Sequence, residues 1–256
     1  EGFEIDWYVA RHFAGVRSKM QAHPASLKKF SINGEPPEPG DIWRQPDLAK
    51  TLARIASHGR KGFYEGKTAG LIVAEMERGG GIISHEDLKN YRSVWREPVN
   101  GTYRGYDIWI MGPPSSGGVL LIQILNMLED HDLSASGWGS ADTVHLMVEA
   151  ERRAYADRAE HLGDPDFYAI PVDALIDKVY AKRRFADLKT DKASVSNEIY
   201  PGAMPRQRGM ETTHFSVMDK SGLMVALTTT LNSSYGNKIV VPGTGMLMNN
   251  EMDDFS

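Results

Sequence analysis

Residues 212–232 read TTHFSVMDKSGLMVALTTTLN, and their pattern predicts a β-hairpin. Residues 220–222 (KSG) fit a three-residue loop, in which a type I turn is followed by glycine in the left-handed conformation. This loop pairs Asp219 with Leu223 and thereby sets the register of both strands. At this segment the chain changes from helical to strand-like patterns.

The predicted register places Thr212 opposite Thr230 at the open end of the hairpin. Directly opposed Cβ atoms lie ~4.5–5.5 Å apart, close enough for the two hydroxyls to form a hydrogen bond. The apolar face, suited to a buried core, holds Phe215, Val217, Val225 and Leu227. The polar face holds Thr212, His214, Ser216, Thr228 and Thr230, and Asn232 continues it. Because threonine favours strands and Thr–Thr pairs are common on solvated faces, the pattern alone fits either a plain surface or a site.

Upstream of the hairpin the sequence predicts mainly helices. Residues 1–40 are rich in polar residues, proline and glycine, which favours a surface excursion rather than core. Capping side chains predict helix starts at Asp47, Ser84 and Ser140. The predicted elements are helices over 68–78, 119–128 and 140–162, and strands over 98–111 with a turn near Arg104-Gly105. Helices followed by strands suit an α+β layered domain better than an α/β alternation.

Composition places the 256-residue chain among ordinary globular proteins, with 41% hydrophobic and 25% charged residues. The net charge of -5 and the lack of basic runs argue against nucleic acid as a partner. No apolar stretch approaches the ~18 residues needed to span a membrane, so no membrane partner is predicted. Cysteine is absent, which excludes disulfides, thiolate chemistry and Cys-ligated metals. Because the chain starts without Met and stops after a strand-like run, we expect an internal segment of a longer protein.

Motifs along the chain resemble those of the γ-glutamyltranspeptidase family. They are FYEG (63–66), YRGY (103–106), PPSSGG (113–118), AYADR (154–158), LGDPDF (162–167), TTHFSV (212–217), TLN (230–232) and NNEMDDFS (249–256). The resemblance covers nearly the whole chain and is weaker in residues 1–40. Several long motifs in the right order favour the interpretation of the hairpin as a site.

The resemblance implies an N-terminal nucleophile hydrolase, an α+β fold in which an αββα sandwich has two sheets covered by helices. It assigns residues 1–211 to the C-terminal part of a large subunit and residues 212–256 to the N-terminal part of a small subunit. Together these would be part of one αββα domain, and the two subunits would form a heterodimer from one precursor. Self-cleavage is implied between Glu211 and Thr212, with Thr212 Oγ1 attacking the Glu211 carbonyl. The α-amine released on Thr212, with a pKa of ~7.7–8.0, can then act as general base for its own hydroxyl.

The resemblance also implies the substrates and the residues that hold them. Thr212 is expected to attack the γ-glutamyl amide of glutathione and related compounds, and water, an amino acid or a peptide then resolves the γ-glutamyl-threonine ester. Thr230 matches the family threonine that hydrogen-bonds the nucleophile, and it is expected both in catalysis and in substrate binding. The glutamyl α-amino end is expected to be held by Asn232, Glu251 and Asp254. Carboxylates suit an ammonium group because charge-assisted hydrogen bonds are the stronger ones.

Two further groups of the family are expected outside residues 1–256. One is an arginine before Glu1 that clamps the substrate carboxylate. The other, after Ser256, comprises paired serines and glycines that bind the carboxylate and form the oxyanion hole. Because an oxyanion donor contributes ~2.7–4 kcal/mol in comparable hydrolases, the segment alone is expected to be nearly inactive. By resemblance, the protein is expected to be periplasmic or secreted.

Several alternatives remain beside this hypothesis. His214 is not favoured as catalytic base because the α-amine already supplies one, and the 113–118 loop lacks the lysine of a phosphate-binding loop. His161 and Asp164 lack further ligands, so neither a metal nor a cofactor is predicted. The solvated or salt-bridging face of the long helix is predicted to hold Arg152, Arg153 and Arg158. The rival functions are a glutaryl or cephalosporin acylase of the same fold and a non-catalytic relative that serves as a binding or structural module.

Overall fold

The computed structural model describes residues 1–202 and 213–252. The helices are α1 (Trp7–Met20), α2 (Pro24–Lys29), α3 (Pro46–His58), α4 (Lys61–Tyr64), α5 (Gly66–Gly79), α6 (His85–Asn90), α7 (Gly117–Leu128), α8 (Leu133–Ser136), α9 (Ala141–His161), α10 (Val172–Leu175) and α11 (Lys178–Phe185). The strands are β1 (Phe3–Glu4), β2 (Ile42–Trp43), β3 (Val99–Tyr103), β4 (Tyr106–Ile110), β5 (Thr213–Met218), β6 (Met224–Thr229), β7 (Val240–Val241) and β8 (Met246–Leu247). They pair antiparallel as β1–β2, β3–β4, β5–β6 and β7–β8. Helices combined with antiparallel hairpins make this an α+β fold, as predicted.

The described residues form two compact units, one made of 1–93 and 213–252 and the other of 94–202. In the first unit, α1 begins where the Asp6 carboxylate accepts a 2.8 Å hydrogen bond from the backbone nitrogen of Val9. The predicted surface excursion over residues 1–40 is wrong, because this region supplies most of a buried cluster: Ile5, Ala10, Phe13, Met20 and Phe30, together with Val240. The helix α1 was not predicted because polar residues separate its buried positions Ala10, Phe13 and Met20.

Strand β7 connects two clusters of the first unit. Val240 packs in the cluster with α1, whereas Val241 packs in a second cluster with residues of α5. The backbone nitrogen of Val240 donates a 2.9 Å hydrogen bond to Ser26 Oγ. Thr51 Oγ1, which is also buried, donates a 2.9 Å bond to the Thr244 carbonyl. The segment after the β5–β6 hairpin is therefore held by buried contacts with residues far upstream in the chain.

In the second unit, α7 packs against both α9 and α11, and β3 lies against α7. Gly101 allows this approach, because a Cβ there would lie 2.7 Å from Ile122 Cγ2. The predicted turn at Arg104-Gly105 is confirmed, and both residues have positive φ angles of 50° and 86°. Among the described residues, no helix combines the length and the apolar character needed to cross a bilayer.

Two of the three predicted helix caps are confirmed. Ser84 and Asp87 form a reciprocal capping box at the start of α6, and Ser140 accepts from the Thr143 nitrogen at the start of α9. Asp47 is not a cap: Gln45 occupies that position, and Pro46 is the first helical residue. Proline is favoured there because its fixed φ suits the helix and its missing N–H would lack a partner anyway.

Candidate active site

The register of the β5–β6 hairpin agrees with the prediction. Thr213 pairs with Thr229, Met218 pairs with Met224, and the Asp219 nitrogen donates a 3.0 Å hydrogen bond to the Leu223 carbonyl. The carboxylate of Asp219 stabilises the loop by accepting bonds from the nitrogen and hydroxyl of Ser221 and from the nitrogen of Leu223, at 2.7–3.0 Å. These bonds, led by that from the Ser221 hydroxyl, lower the pKa of Asp219.

The apolar face of this hairpin departs from the prediction. Phe215, Val217, Val225 and Leu227 are 48%, 57%, 52% and 43% exposed, so the expected burial is wrong for the described part of the chain. A two-stranded ribbon has only its own side chains to cover it, and burial requires a further layer. The alternation of the side chains was predicted from the sequence, but the presence of that layer was not.

Thr230, directly after β6, begins the candidate site. Its Oγ1 accepts a 2.8 Å hydrogen bond from the backbone nitrogen of Asn232. Asn232 is 8% exposed and has a φ of 67°, a left-handed conformation that asparagine tolerates better than most residues. The turn therefore brings the threonine hydroxyl and the Asn232 backbone together and directs the chain away from the hairpin.

Asn250 joins this turn to the segment that carries Glu251. Its nitrogen donates to the Leu231 carbonyl at 3.0 Å, and its carbonyl accepts from Asn232 Nδ2 at 2.9 Å. Its side-chain amide pairs with Ser233 in both directions, with Oδ1 accepting from the Ser233 nitrogen and Nδ2 donating to Ser233 Oγ, each at 3.0 Å. Thr230 and Asn232 are thus brought next to residues 249–251 by a continuous set of hydrogen bonds.

The chain between these segments is held by backbone hydrogen bonds at the end of the β7–β8 hairpin. Met248, just after β8, donates from its nitrogen to the Ile239 carbonyl at 2.9 Å and accepts from the Asn237 nitrogen at 3.2 Å. Gly236 has a φ of 54°, and a Cβ there would overlap the Met248 carbonyl oxygen. The Glu251 nitrogen donates a 3.0 Å bond to Asn249 Oδ1, which forms a local turn at the far end. Close backbone packing at Met248 therefore fixes the start of the segment that leads from β8 to Glu251.

Of the predicted site residues, the structure brings together Thr230, Asn232 and the Glu251 segment. The remaining ones, Glu211, Thr212 and Asp254, lie outside the described residues, so the Thr212–Thr230 pairing stays a prediction. Position 214 pairs with Thr228 across the hairpin, and the expectation that His214 is not the catalytic base stays a prediction. Sequence reasoning missed the organising role of Asn250, although this residue stands in the NNEMDDFS motif beside Glu251.

A second group of buried polar residues lies in the other unit, around Asp157 of α9. This carboxylate is 1% exposed and accepts from Gln123 Nε2 at 2.5 Å, Tyr180 Oη at 2.8 Å and the Gly202 nitrogen at 2.9 Å. Arg184 also pairs with it at 3.0 Å. Burial and the bond to Asp157 raise the pKa of Tyr180 to about 12. Four donors satisfy one buried carboxylate, so this cluster anchors α7, α11 and Gly202 to α9.

In the two turns of α9 before Asp157, Glu149 and Arg153 form a buried ion pair with an N–O distance of 2.8 Å. Burial alone would raise the pKa of the Glu149 carboxyl, but hydrogen bonds from Ser194 and Arg153 outweigh it and lower the pKa to about 2. Arg153 also pairs with Asp187 at 2.6 Å. The prediction of a solvated or salt-bridging helix face is therefore confirmed for Arg153 by its ion pairs, and the side chain itself is buried, with 1% exposed.

The 113–118 loop also has a structural partner, since Ser116 Oγ accepts a 2.9 Å bond from Arg158 Nε. Among the described residues, no group of three or more histidine or acidic side chains is arranged to bind a metal ion. The arrangement around Asn250 offers amide, hydroxyl and carboxylate groups instead. Such groups can orient a polar, charged small molecule beside a hydroxyl nucleophile.

Comparisons with known proteins agree on one family. The sequence pattern of the family described as Gamma-glutamyltranspeptidase matches residues 1–256. The chain is 48% identical to the glutathione hydrolase proenzyme of Escherichia coli strain K12, with 100% of the chain and 44% of that protein covered. It is 38% identical to the acylase ACY 1 proenzyme of Pseudomonas sp. strain V22, with 99% of the chain and 45% of that protein covered. The crystal structure of Helicobacter pylori gamma-glutamyltranspeptidase superposes with a TM-score of 0.75 at 46% identity, covering 78% of this chain and 58% of that one. The chain thus spans less than half the length of these two curated relatives.

Proposed function

The chain belongs to the γ-glutamyltranspeptidase family, and on that premise we propose that the full-length protein is a self-cleaving γ-glutamyl hydrolase and transpeptidase. The observation that carries the proposal is the hydrogen bonding that joins Thr230 and Asn232 to the segment with Glu251. These side chains are the ones that the family motifs assign to the nucleophile's partner and to the substrate's α-amino end. Proenzyme names among the relatives support processing of a precursor.

Processing would divide the chain into residues 1–211 of a large subunit and residues 212–256 of a small subunit. The two would remain together as a heterodimer and as part of one αββα domain. The exposed apolar side chains of the β5–β6 hairpin support this architecture, because a sandwich supplies the second layer that they need. Buried contacts such as Thr51 with Thr244 would hold the two subunits together after cleavage.

Self-cleavage requires a hydroxyl at position 212. Thr212 Oγ1 attacks the carbonyl carbon of Glu211, the peptide C–N bond breaks, and an ester links the two residues. The broken C–N bond leaves a free α-amine on Thr212, and water then hydrolyses the ester, which releases the Glu211 carboxylate and restores the Thr212 hydroxyl. With a pKa of ~7.7–8.0, a useful fraction of this amine is neutral near pH 7 and can take the proton of the threonine hydroxyl.

In turnover, Thr212 attacks the γ-carbonyl of a γ-glutamyl amide such as glutathione, and the amine leaves with the transferred proton. Thr230 orients the attacking hydroxyl. Asn232, Glu251 and Asp254 bind the α-ammonium, which has three donors and one positive charge and so matches oxygen acceptors and carboxylates. Water resolves the ester in hydrolysis, and the amine of an amino acid or peptide resolves it in transpeptidation. No metal or cofactor takes part in this scheme.

Electrophoresis of the full-length protein under denaturing conditions tests the proposal. The wild type should give two bands, Thr212→Ala should give one, and the wild type should release p-nitroaniline from γ-glutamyl-p-nitroanilide. Thr213→Ala is a matched control, since it changes the neighbouring threonine and keeps the nucleophile. A wild type that stays uncut and carries no acyl label on Thr212 would overturn the enzyme hypothesis and favour the non-catalytic relative.

A second candidate is an acylase that removes glutaryl groups from β-lactam compounds. The similarity to the acylase ACY 1 proenzyme supports it. The two functions differ in the acyl group, because the glutaryl chain lacks the α-ammonium of the γ-glutamyl chain. Turnover of glutaryl-p-nitroanilide without any turnover of the γ-glutamyl compound would favour the acylase.

The protein is also proposed to act in the periplasm or outside the cell. Cell fractionation of a host that expresses the full-length gene, with activity measured in each fraction, tests this location. Activity confined to the cytoplasmic fraction would contradict it.

A further inference from the structure

The orientation of two side-chain amides follows from their backbone partners. A backbone N–H can only donate, so the Ser233 nitrogen must face the oxygen Oδ1 of Asn250, at 3.0 Å. The other end of that amide, Nδ2, then donates to Ser233 Oγ, also at 3.0 Å. Asn250 is thereby locked to Ser233 at both ends of its side chain.

The same reasoning applies to Asn232. Its side chain contacts the Asn250 carbonyl at 2.9 Å, and a backbone carbonyl can only accept. The nitrogen Nδ2 must therefore face Asn250, and Oδ1 is the end of the Asn232 amide that is left to meet a ligand. An acceptor at this position matches a group that only donates, such as an ammonium.

We infer that Asn250 is a positioning residue that sets the acyl-group specificity of the site by holding Asn232 as an acceptor. The inference rests on the proposed function, and it adds the reason why Asn232 prefers an α-ammonium. Asn250 acts through Asn232 and through the neighbouring Glu251, whose backbone position it fixes. We call the bonds among Asn232, Ser233 and Asn250 the clamp. The clamp favours γ-glutamyl donors over glutaryl donors, because glutaryl donors have no ammonium group to meet Asn232 Oδ1.

The clamp depends on the side chain of Asn250 rather than on its backbone alone. The backbone bond from its nitrogen to the Leu231 carbonyl brings the two segments together. The paired bonds to Ser233 add a restraint on the Asn250 residue, whose carbonyl accepts from Asn232. Truncation of this side chain should therefore loosen Asn232 while leaving the chain path in place.

The test compares Asn250→Ala, Asn250→Asp and Ser233→Ala in the full-length protein. Asn250→Ala should raise the KM for γ-glutamyl-p-nitroanilide about tenfold with kcat changed less than about threefold, because a loosened Asn232 binds the ground-state substrate less tightly. Asn250→Asp should recover most of this loss, since one oxygen still accepts from the Ser233 nitrogen and the Ser233 hydroxyl can donate to the other. Ser233→Ala removes only one bond of the clamp and should raise KM by about twofold to threefold.

Inhibition constants supply a readout independent of turnover. Asn250→Ala should weaken competitive inhibition by glutamate about tenfold and leave inhibition by glutarate unchanged, because only glutamate carries the ammonium. Self-cleavage needs no ammonium, so the extent of cleavage should match the wild type. A merely structural role would instead slow cleavage and weaken both inhibitors together, which would overturn the inference.

The outcomes separate this inference from the proposed function. A wild type that cleaves itself and turns over the γ-glutamyl compound, with Asn250→Ala unchanged in KM and in both inhibition constants, would overturn the inference alone. If Asn250→Ala does not fold, equal constants for Asn250→Asp, Ser233→Ala and the wild type would overturn it. A wild type that is active only on the glutaryl compound would overturn both.

Discussion

Thr230 Oγ1 lies 2.8 Å from the backbone nitrogen of Asn232 and accepts its hydrogen bond. This one hydroxyl thus orders the turn that carries Asn232, a proposed substrate-binding residue, and by the predicted register it also faces Thr212, the proposed nucleophile. Thr230→Ala should lower kcat/KM for γ-glutamyl-p-nitroanilide roughly 10- to 100-fold, because a bond worth about 1.5–3 kcal/mol is lost where charge develops. Steady-state kinetics on the processed protein measure the change.

The control for this prediction is Thr230→Ser, which keeps the hydroxyl and removes only a methyl group. It should stay within about threefold of the wild type, because the serine Oγ can accept the same bond. Equal losses in the two variants would show that the methyl group, and not the hydroxyl, is what matters.

Gly236→Ala tests the backbone contact beneath the site. An added Cβ would overlap the Met248 carbonyl oxygen, and the positive φ of 54° is itself unfavourable for alanine. The variant should lose roughly 2–4 kcal/mol of unfolding free energy and raise the KM for the γ-glutamyl compound, because Met248 leads directly into residues 249–251. Chemical denaturation and kinetics together give both values.

Gly80→Ala is the matched control, since Gly80 also has a left-handed backbone, with a φ of 73°, but an added Cβ would find no atom within 4 Å. This variant should cost only about 1 kcal/mol from backbone strain and leave KM unchanged. A Gly236→Ala variant that behaves like Gly80→Ala would mean that the contact with Met248 does not constrain the site.

Asp157→Asn tests the buried anchor of the second unit. The buried carboxylate meets Arg184, whose side chain is 15% exposed, and three further donors, so its neutral replacement leaves a largely covered cation without its charge partner. The free energy of unfolding should fall by about 3–5 kcal/mol, as for other broken buried pairs. Tyr180→Phe removes a single neutral donor and should cost about 1 kcal/mol. If urea denaturation gives the same loss for both variants, the charge of Asp157 is not what holds the cluster.

Local features of the fold could be predicted from the sequence because each depends on residues near one another in the chain. The hairpin register followed from the Lys220–Gly222 loop, and the Ser84 and Ser140 caps followed from side chains that reach only to the next turn. The predicted cap at Asp47 was wrong because Pro46 also favours a helix start, and the helix begins one residue before Asp47. Periodicity found the faces of the hairpin but not what lies against them.

The remaining features depend on contacts between distant segments, which periodicity does not report. Asn250 contacts Ser233, and Arg153 contacts Asp187, through pairs of residues that no local pattern connects. The residues of the candidate site were predicted from family motifs. The hydrogen bonds that hold them together, such as that between Asn232 and Asn250, were not. In the same way, burial of the apolar residues of α1 could not be predicted from the sequence around them. It depends on contacts with Phe30 and Val240, which lie elsewhere in the chain.

The Glu149 carboxyl makes the free energy of unfolding depend on pH in the acidic range. Its pKa is about 2 in the folded protein against an ordinary value of 4.5, so the unfolded chain takes up the proton first as pH falls. Its contribution is complete above pH 4.5 and is lost between about pH 4.5 and pH 2, and the shift corresponds to about 3 kcal/mol. Because other carboxylates also titrate there, the comparison is with Glu149→Gln, which keeps the shape and cannot ionise. Urea midpoints from pH 6 to pH 3 should fall more steeply for the wild type than for the variant, since only the wild type loses the Arg153 pair on acidification. Parallel curves would mean that the carboxyl has an ordinary pKa in the folded protein.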